Sequence, residues 1–520
     1  MKAISKRLLL ASLLASWPST HSMEYFTYMQ NCIKGHKTAA LGLAGLVATG
    51  ALTHQLLATD YGATDLSNRE IYWDWDNINT SVTKFPPSFL FGVGTSAYQI
   101  EGDCTNTDWH DWEQQLDTAG NPRVEHPAGA ACDHWNRYKE DIGLIKEIGA
   151  GIYRFSLAWD KIQPTPDTFD EAALAHYHDV CRELKAHNIK SLIGLHHYAD
   201  PKWFADMGGF EHEENIAYFV RFCTKVFQSF HDQGIEVDLW TVFNSPSGYA
   251  FHKYLVGDFP PGIKGNKQLT LTVFKNMLEA HVQVYQQAKK IDPHFTIGLL
   301  KNIIHLDPYR PWHPLDKLAC NIARIMTDDC MINFFKTGIF KAKIPFDIAP
   351  CMANVEHVNL LAPYSFDFVG LNCYSHSYIK NMTRLHHPQE TVSDNPTYTI
   401  YPESLYRGIV RLTNELCKPI EELTGKPMPI YVTENGIACK DIKKRELFFK
   451  RYLYAIHKAI ADGYDVKGYI YWSLMDNYEW GSYSKKYGLV HVDFQDPTLT
   501  RTIKSDPGTE YFISLMKNSN

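Results

Sequence analysis

One short segment joins a β-prone run to a carboxylate and a strong turn signal. In Ile430–Gly436 the first four residues favour a strand, Glu434 follows directly, and Asn435-Gly436 indicates a sharp turn. In an α/β barrel a strand of this kind presents its carboxylate at the mouth where such folds carry out chemistry. The simpler interpretation is that Glu434 is a solvent-exposed residue at a strand end. The side chains expected around it must therefore decide between that interpretation and a functional carboxylate.

Polar or aromatic side chains also follow most other β-prone runs of the chain. Because the carboxyl ends of parallel barrel strands meet at one mouth, these groups are expected to converge there. In chain order they are Gln99, Arg154, His196-His197-Tyr198, Asn244-Ser245-Pro246, Asn372-Cys373-Tyr374, Trp472 and Glu479-Trp480.

The elements that must position these groups are eight β-prone runs alternating with helical segments. A parallel sheet is implied, and eight strands close a (β/α)8 barrel. Typical barrels use ~250 residues, so this longer chain predicts long loops after the strands. The runs are 89–97, 153–158, 190–195, 238–243, 296–301, 366–372, 429–433 and 466–473, and the clearest helices are 138–148, 171–185, 216–233, 275–290 and 444–461.

Composition excludes several functional classes. The 520 residues carry a net charge of −7 and no basic patch, which argues against nucleic acid as a partner. The 11 cysteines are odd in number and form no CxxC pair, so neither a disulfide framework nor a zinc site is indicated, and reduced, mostly buried thiols are predicted. There is no dinucleotide-binding glycine motif in a suitable context and no cluster of metal ligands, so no cofactor is implied.

The N-terminal part resembles a targeting segment. Basic residues precede an apolar run at 8–15, which is typical of an export signal ending near Ser22, although Met23 as the true start would delete it. A second apolar stretch, 38–58, approaches the ~20 residues that cross a bilayer. It is interpreted as a membrane anchor, a poorly ordered leader or a helix packed on the catalytic domain. We therefore divide the chain into a leader (1–59), a linker (60–84) and one barrel domain (85–520), exported or membrane-anchored through the leader and otherwise cytoplasmic.

Five motifs resemble those of glycoside hydrolase family 1, the retaining β-glucosidases and β-galactosidases. The resemblance runs from about Phe85 to Phe512 and implies the (β/α)8 fold together with hydrolysis or transfer of terminal β-D-glucosyl or β-D-galactosyl residues. The motifs are FGVGTSAYQIEG at 91–102, RFS at 154–156, TENG at 433–436, WSLMDNYEW at 472–480 and YGLV at 487–490.

The resemblance also implies roles for single residues. Glu434 matches the nucleophile, and Arg154 and Tyr374 match residues that hydrogen-bond this carboxylate and keep it ionised. Trp472 matches the aromatic floor beneath the sugar, and His197 rather than His196 takes the family's histidine position. The expected sugar-binding set is Gln99, His197, Asn244, Asn372, Trp472, Glu479 and Trp480.

One position departs from the family pattern. The family has its acid/base Glu directly after the Asn that ends the fourth strand, but here the segment reads Asn244-Ser245-Pro246. Retaining hydrolysis uses two carboxyl groups ~5–5.5 Å apart, one attacking and one protonating the leaving oxygen. A serine hydroxyl is too weak an acid and too weak a base for the second role, which is typically worth roughly 10²–10⁴-fold in rate.

Three interpretations follow from this replacement. The protein is a hydrolase or transferase specialised for good leaving groups, a sugar-binding or scaffold protein without turnover, or an altered form of an ordinary β-glucosidase. The retained sugar-binding set argues against a pure scaffold, and we favour the first interpretation over a sugar-binding protein without turnover. Glu101 and Glu479 are the nearest candidates for a substitute acid, although both have other roles in the family. Because Glu479 would repel a phosphate, an unmodified β-glucoside or β-galactoside, small or oligomeric, is the expected ligand.

Overall fold

The centre of the molecule is a closed barrel of eight parallel strands. The computed structural model describes residues 62–343, 353–381 and 383–519. All eight predicted runs are confirmed, with ends shifted by a few residues, and each strand pairs with its sequence neighbours until the last closes on the first through Gly94 and Trp472. The strands are β1 (Leu90–Gly94), β2 (Ile152–Ser156), β3 (Lys190–His196), β4 (Leu239–Phe243), β5 (Ile297–Asn302), β6 (Phe368–Asn372), β7 (Ile430–Asn435) and β8 (Val466–Trp472).

The barrel strands are buried on both faces because helices cover the outside of the sheet. Near the N-terminal ends of the strands, apolar side chains that include Ile152, Leu192 and Phe368 form a cluster of their own. This cluster leaves the C-terminal ends of the strands for polar groups.

The covering helices include the five that were predicted. Glu171–Ala186 shows why they begin where they do, since Asp170 precedes it and accepts hydrogen bonds from two backbone amides of the first turn. The helices are Ala97–Ile100, Asp108–Glu113, His134–Glu147, Trp159–Ile162, Glu171–Ala186, Lys202–Asp206, Ile216–Asp232, Pro246–Phe251, Lys267–Ile291, Pro314–Arg324, Cys330–Thr337, Glu403–Leu412, Lys418–Thr424, Ile442–Ala461 and Pro507–Ser519.

The loops that follow the strands are long, as predicted, and several carry strands of their own. The small sheets are formed by 305–308, 376–380 and 383–385, by 339–343 with 354–358, and by 490–492 with 501–503.

The segment predicted as a linker is irregular but is packed against the barrel. Tyr72 is buried, and its hydroxyl donates a hydrogen bond to Glu390 at 2.6 Å. The backbone N–H of Trp73 and the indole N–H of Trp75 both donate to one oxygen of Glu403, at 2.7 and 2.9 Å. We call residues 62–84 the N-terminal strap.

The predicted leader, including the apolar stretch 38–58, lies outside the described residues, so the membrane anchor stays a prediction. Within the described part of the chain, no helix combines the length and apolar character needed to span a bilayer. The nine cysteines in that part carry free, buried thiols, in line with the prediction of reduced cysteines.

Candidate active site

Glu434 lies at the C-terminal end of β7, where the regular pairing with both neighbouring strands is interrupted. Each of its carboxylate oxygens accepts one hydrogen bond. Nη1 of Arg154 donates to Oε1 at 2.5 Å, and the Tyr374 hydroxyl donates to Oε2 at 2.9 Å. Burial and the nearby Glu434 charge raise the pKa of Tyr374 well above its ordinary value, so this phenol remains a donor. The carboxylate is therefore fixed in orientation from two sides.

Arg154, on β2, is buried and connects Glu434 to the neighbouring strand ends. Its Nη1 also donates to the backbone carbonyl of Thr433 at 3.1 Å, and its Nη2 donates to Oδ1 of Asn244 at 2.8 Å. A buried guanidinium needs such partners, since an unpaired buried charge is strongly destabilising.

Asn244 orients the histidine of the site. Its Oδ1 accepts from Arg154 and from Asn372 Nδ2, both at 2.8 Å, so its Nδ2 is left to donate to Nε2 of His197 at 3.0 Å. The His197 proton then lies on Nδ1. Burial and the nearby Arg154 charge hold the pKa of His197 well below its usual value, so the ring is neutral.

Glu479, in the loop after β8, lies close enough to Glu434 for the two carboxylates to repel each other. Its Oε2 accepts from Gln99 Nε2 at 3.1 Å and from the Trp472 indole N–H at 3.4 Å. Burial raises the pKa of Glu479 to about 7, with repulsion from Glu434 adding to the shift and the Lys485 charge opposing it. Glu479 therefore changes charge near neutral pH.

Four rings stack beside these polar groups. The His197 ring lies 5.8 Å from Trp472 and 6.1 Å from Trp480, with interplanar angles of 23° and 21°. Tyr98 stacks on the Trp480 indole at 6.1 Å with an angle of 2°. Flat aromatic faces beside hydrogen-bonding groups suit a ring-shaped ligand with apolar faces and polar edges.

Ser245 follows β4 and precedes the helix Pro246–Phe251. Its φ of 48° lies in the left-handed region, and its side chain is buried. Among the described residues, Oγ has no hydrogen bond of good geometry. The Tyr198 hydroxyl lies nearby, and although burial raises the pKa of this phenol, its interaction with Ser245 offsets part of that rise.

These strand-end residues form one contiguous cluster, and the whole domain around it matches a known family. Residues 81–520 match the family model described as Glycosyl hydrolase family 1. The chain belongs to glycosyl hydrolase family 1.

Named relatives of the family support the same class. The chain is 30% identical over 471 residues to Beta-glucosidase A of Acetivibrio thermocellus, covering 84% of this chain and 98% of that one. It is 28% identical to the 6-phospho-beta-galactosidase of Staphylococcus epidermidis, with 79% and 94% covered. The solved beta-glycosidase from Pyrococcus horikoshii superposes with a TM-score of 0.71 at 29% identity, with 84% and 96% covered. The predicted fold and the predicted β-glycosidase class are thereby confirmed.

Every residue predicted for the family 1 site lies in this cluster, whereas the two suggested substitute acids do not approach Ser245 through any hydrogen bond. Glu101 accepts from the Tyr177 hydroxyl at 2.7 Å and pairs with Lys161 at 3.2 Å, and Glu479 is bound to Gln99. His196, set aside in favour of its neighbour, bonds to Asp200 at 2.9 Å.

Sequence reasoning missed one tyrosine of the site and gave a second one no role. Tyr398 stacks on Tyr374 at 5.1 Å with an angle of 15° and comes from a loop with no recognisable signal. Tyr198, which directly follows His197, was expected at the barrel mouth, but its aromatic type at this position did not indicate a function for its hydroxyl.

Proposed function

We propose that the protein cleaves terminal β-D-glucosyl or β-D-galactosyl residues through a covalent intermediate on Glu434, and that it is specialised for leaving groups that need little protonation. The observation that carries this proposal is the pairing of a fully supported carboxylate with a serine at the acid/base position. Arg154 and Tyr374 hold Glu434 ready to attack, while Ser245 supplies no carboxyl group.

In the first step, a Glu434 oxygen bonds to the anomeric carbon as the bond to the aglycone breaks. The bonding electrons leave with the aglycone oxygen, which must then be protonated or be stable as an anion. Phenolates with electron-withdrawing groups are stable as anions, and sugar alkoxides are not. The proposed specialisation follows from that difference.

The sugar is proposed to lie between the stacked rings and the polar groups of the cluster. Glu479 and Gln99 would bind hydroxyls on one side, His197 and Asn244 on the other, with Trp472 as the floor. An ionised Glu479 accepts two hydroxyl hydrogen bonds and repels a phosphate, so we propose an unphosphorylated sugar, unlike the substrate named for the Staphylococcus epidermidis relative.

A second candidate is a sugar-binding protein without turnover, which the same Ser245 replacement favours. It shares the cluster and differs only in chemistry. Binding of a glucose-type inhibitor without turnover of an activated glycoside would select it.

The test is a series of β-glucosides with leaving groups of graded acidity, assayed with and without azide or formate. Dinitrophenyl glucoside should be cleaved, and cellobiose should react roughly 10²–10⁴-fold more slowly. The added anion should accelerate turnover of the activated substrate, because it attacks the glycosyl-enzyme without needing a base. Similar rates on both substrates, with no effect of azide, would contradict the proposal.

A further inference from the structure

Two hydroxyl groups meet at the position where the family carries its acid/base carboxyl. A methyl group added to Gly248 would lie 2.7 Å from Ser245 Oγ and 2.7 Å from the Tyr198 hydroxyl. The two oxygens thus pack against the same face of Gly248, which only a residue without a side chain allows.

The backbone brings these hydroxyls together from neighbouring strands. Tyr198 directly follows His197 beyond β3, and Ser245 directly follows Asn244 beyond β4, while His197 and Asn244 are joined by a hydrogen bond of 3.0 Å. Both hydroxyl-bearing residues have left-handed backbones, with φ of 67° and 48°. Such conformations cost of order 1–3 kcal/mol for residues other than glycine and cluster at functional sites.

The Tyr198 ring is held in place by its neighbours. Its edge meets Trp480 at 5.4 Å and 88°, and Phe259 at 5.7 Å and 86°. Because two aromatic rings pack edge-to-face against the phenol, the direction of its hydroxyl oxygen is fixed.

We propose that Tyr198 is the proton donor and acceptor of this chain and that Ser245 is a positioning residue for its hydroxyl. This inference rests on the proposed function, since it names the group that serves the leaving oxygen.

The two half-reactions balance with these residues alone. As Glu434 bonds to the anomeric carbon, the aglycone oxygen takes the electrons of the broken bond and the proton of Tyr198, leaving a phenolate that accepts a hydrogen bond from Ser245. Water then gives one proton to the phenolate while its oxygen bonds to the anomeric carbon. The ester bond to Glu434 breaks, and both residues return to their starting forms.

The surrounding charges change in the direction that this cycle needs. Burial and the negative charge of Glu434 raise the pKa of Tyr198. The second contribution vanishes once Glu434 becomes an ester, so the phenolate forms more easily in the intermediate. Because a buried phenol is still a weaker acid than a carboxyl, the chain keeps its preference for good leaving groups.

The experiment compares Tyr198→Phe and Ser245→Ala with the wild-type protein on dinitrophenyl, nitrophenyl and methyl β-glucosides. Tyr198→Phe should lower kcat/KM for the methyl glucoside roughly 10–100-fold and leave glycosylation by the dinitrophenyl glucoside within about threefold, at the lower end of acid–base contributions. Azide should restore turnover of the dinitrophenyl substrate. Ser245→Ala should show the same pattern more weakly.

Tyr285→Phe is the matched control, because it removes a hydroxyl that donates to Asp367 at 3.0 Å on the outer helix Lys267–Ile291. It should leave the dependence on the leaving group unchanged. If Tyr198→Phe fails to fold, fluorotyrosine at position 198 keeps the shape and makes the phenol more acidic, and the rate on the methyl glucoside should change. An unchanged rate overturns the inference.

Two failures are distinguishable. If wild-type protein and Tyr198→Phe show the same dependence on the leaving group, the inference fails and the proposed function stands. If the wild-type protein is not trapped as a glycosyl-enzyme by an activated fluoroglucoside, detected by mass spectrometry, both fail.

Discussion

Restoring the missing carboxyl group is the most direct test of the site. Ser245→Glu places an acid after Asn244 on a backbone whose left-handed φ is as compatible with Glu as with Ser, since neither side chain is β-branched. The new carboxyl would be desolvated and close to the Glu434 charge, so it should keep its proton at neutral pH and act as an acid.

The size of the gain follows from what the site already has. Arg154 and Tyr374 already orient Glu434, so the substitution does not need to improve the attack on the anomeric carbon. Only the missing proton transfer is restored, worth roughly 10²–10⁴-fold, or about 2.7–5.4 kcal/mol of activation free energy. An activated aryl glucoside needs little protonation, and its glycosylation should gain less than about tenfold.

The assay is kcat/KM for methyl and dinitrophenyl β-glucosides from pH 4 to pH 9. The variant should act on the methyl glucoside with a pH profile that falls at high pH as the new acid ionises, and azide should no longer accelerate it. Ser245→Gln is the matched control, because it has the same shape without the acid.

The reasoning is refuted if Ser245→Glu is folded and can be trapped on Glu434, yet gains no more on the methyl glucoside than Ser245→Gln does. In that case the wild-type chain already has an effective acid, or the sugar is not placed over Glu434.

Four further predictions concern binding, pH and stability. Glu434→Gln should bind a glucose-type inhibitor within about tenfold of the wild-type affinity by calorimetry, since the amide still accepts from Arg154, but should show no turnover above background; residual turnover would mean another nucleophile. Because burial raises the pKa of Glu479 to about 7, affinity for a neutral inhibitor should rise roughly fivefold as pH increases through 7, and Glu479→Gln should abolish this dependence. Glu479 is protonated more readily in the folded chain than in the unfolded chain, so the free energy of unfolding should decline as pH rises from 4.5 to about 7. Glu479→Gln should remove this decline. Trp75→Phe should lower the free energy of unfolding by about 1–2 kcal/mol because Glu403 loses a donor, whereas exposed Tyr364→Phe should leave it unchanged in the same denaturation experiment.

The barrel could be predicted from the sequence because each of its eight strands is a short, buried β-prone run and these runs alternate with helical segments. The residues around Glu434 could also be predicted, since the carboxyl ends of parallel barrel strands meet at one mouth. The closeness of the Tyr198 and Ser245 hydroxyls could not be predicted, because it depends on the left-handed backbone conformation of both residues and on the absence of a side chain at Gly248. The stacking of Tyr398 on Tyr374 depends likewise on the path of a long loop.

The family match begins at residue 81, yet the N-terminal strap packs against the barrel domain before that point. Tyr72 donates a hydrogen bond to Glu390, and Trp75 donates one to Glu403, two carboxyl groups more than three hundred positions further along the chain. A recombinant fragment trimmed to the homologous region would strip both acids of these donors. We therefore expect such a fragment to be less stable to denaturation than a chain that retains Tyr72 and Trp75.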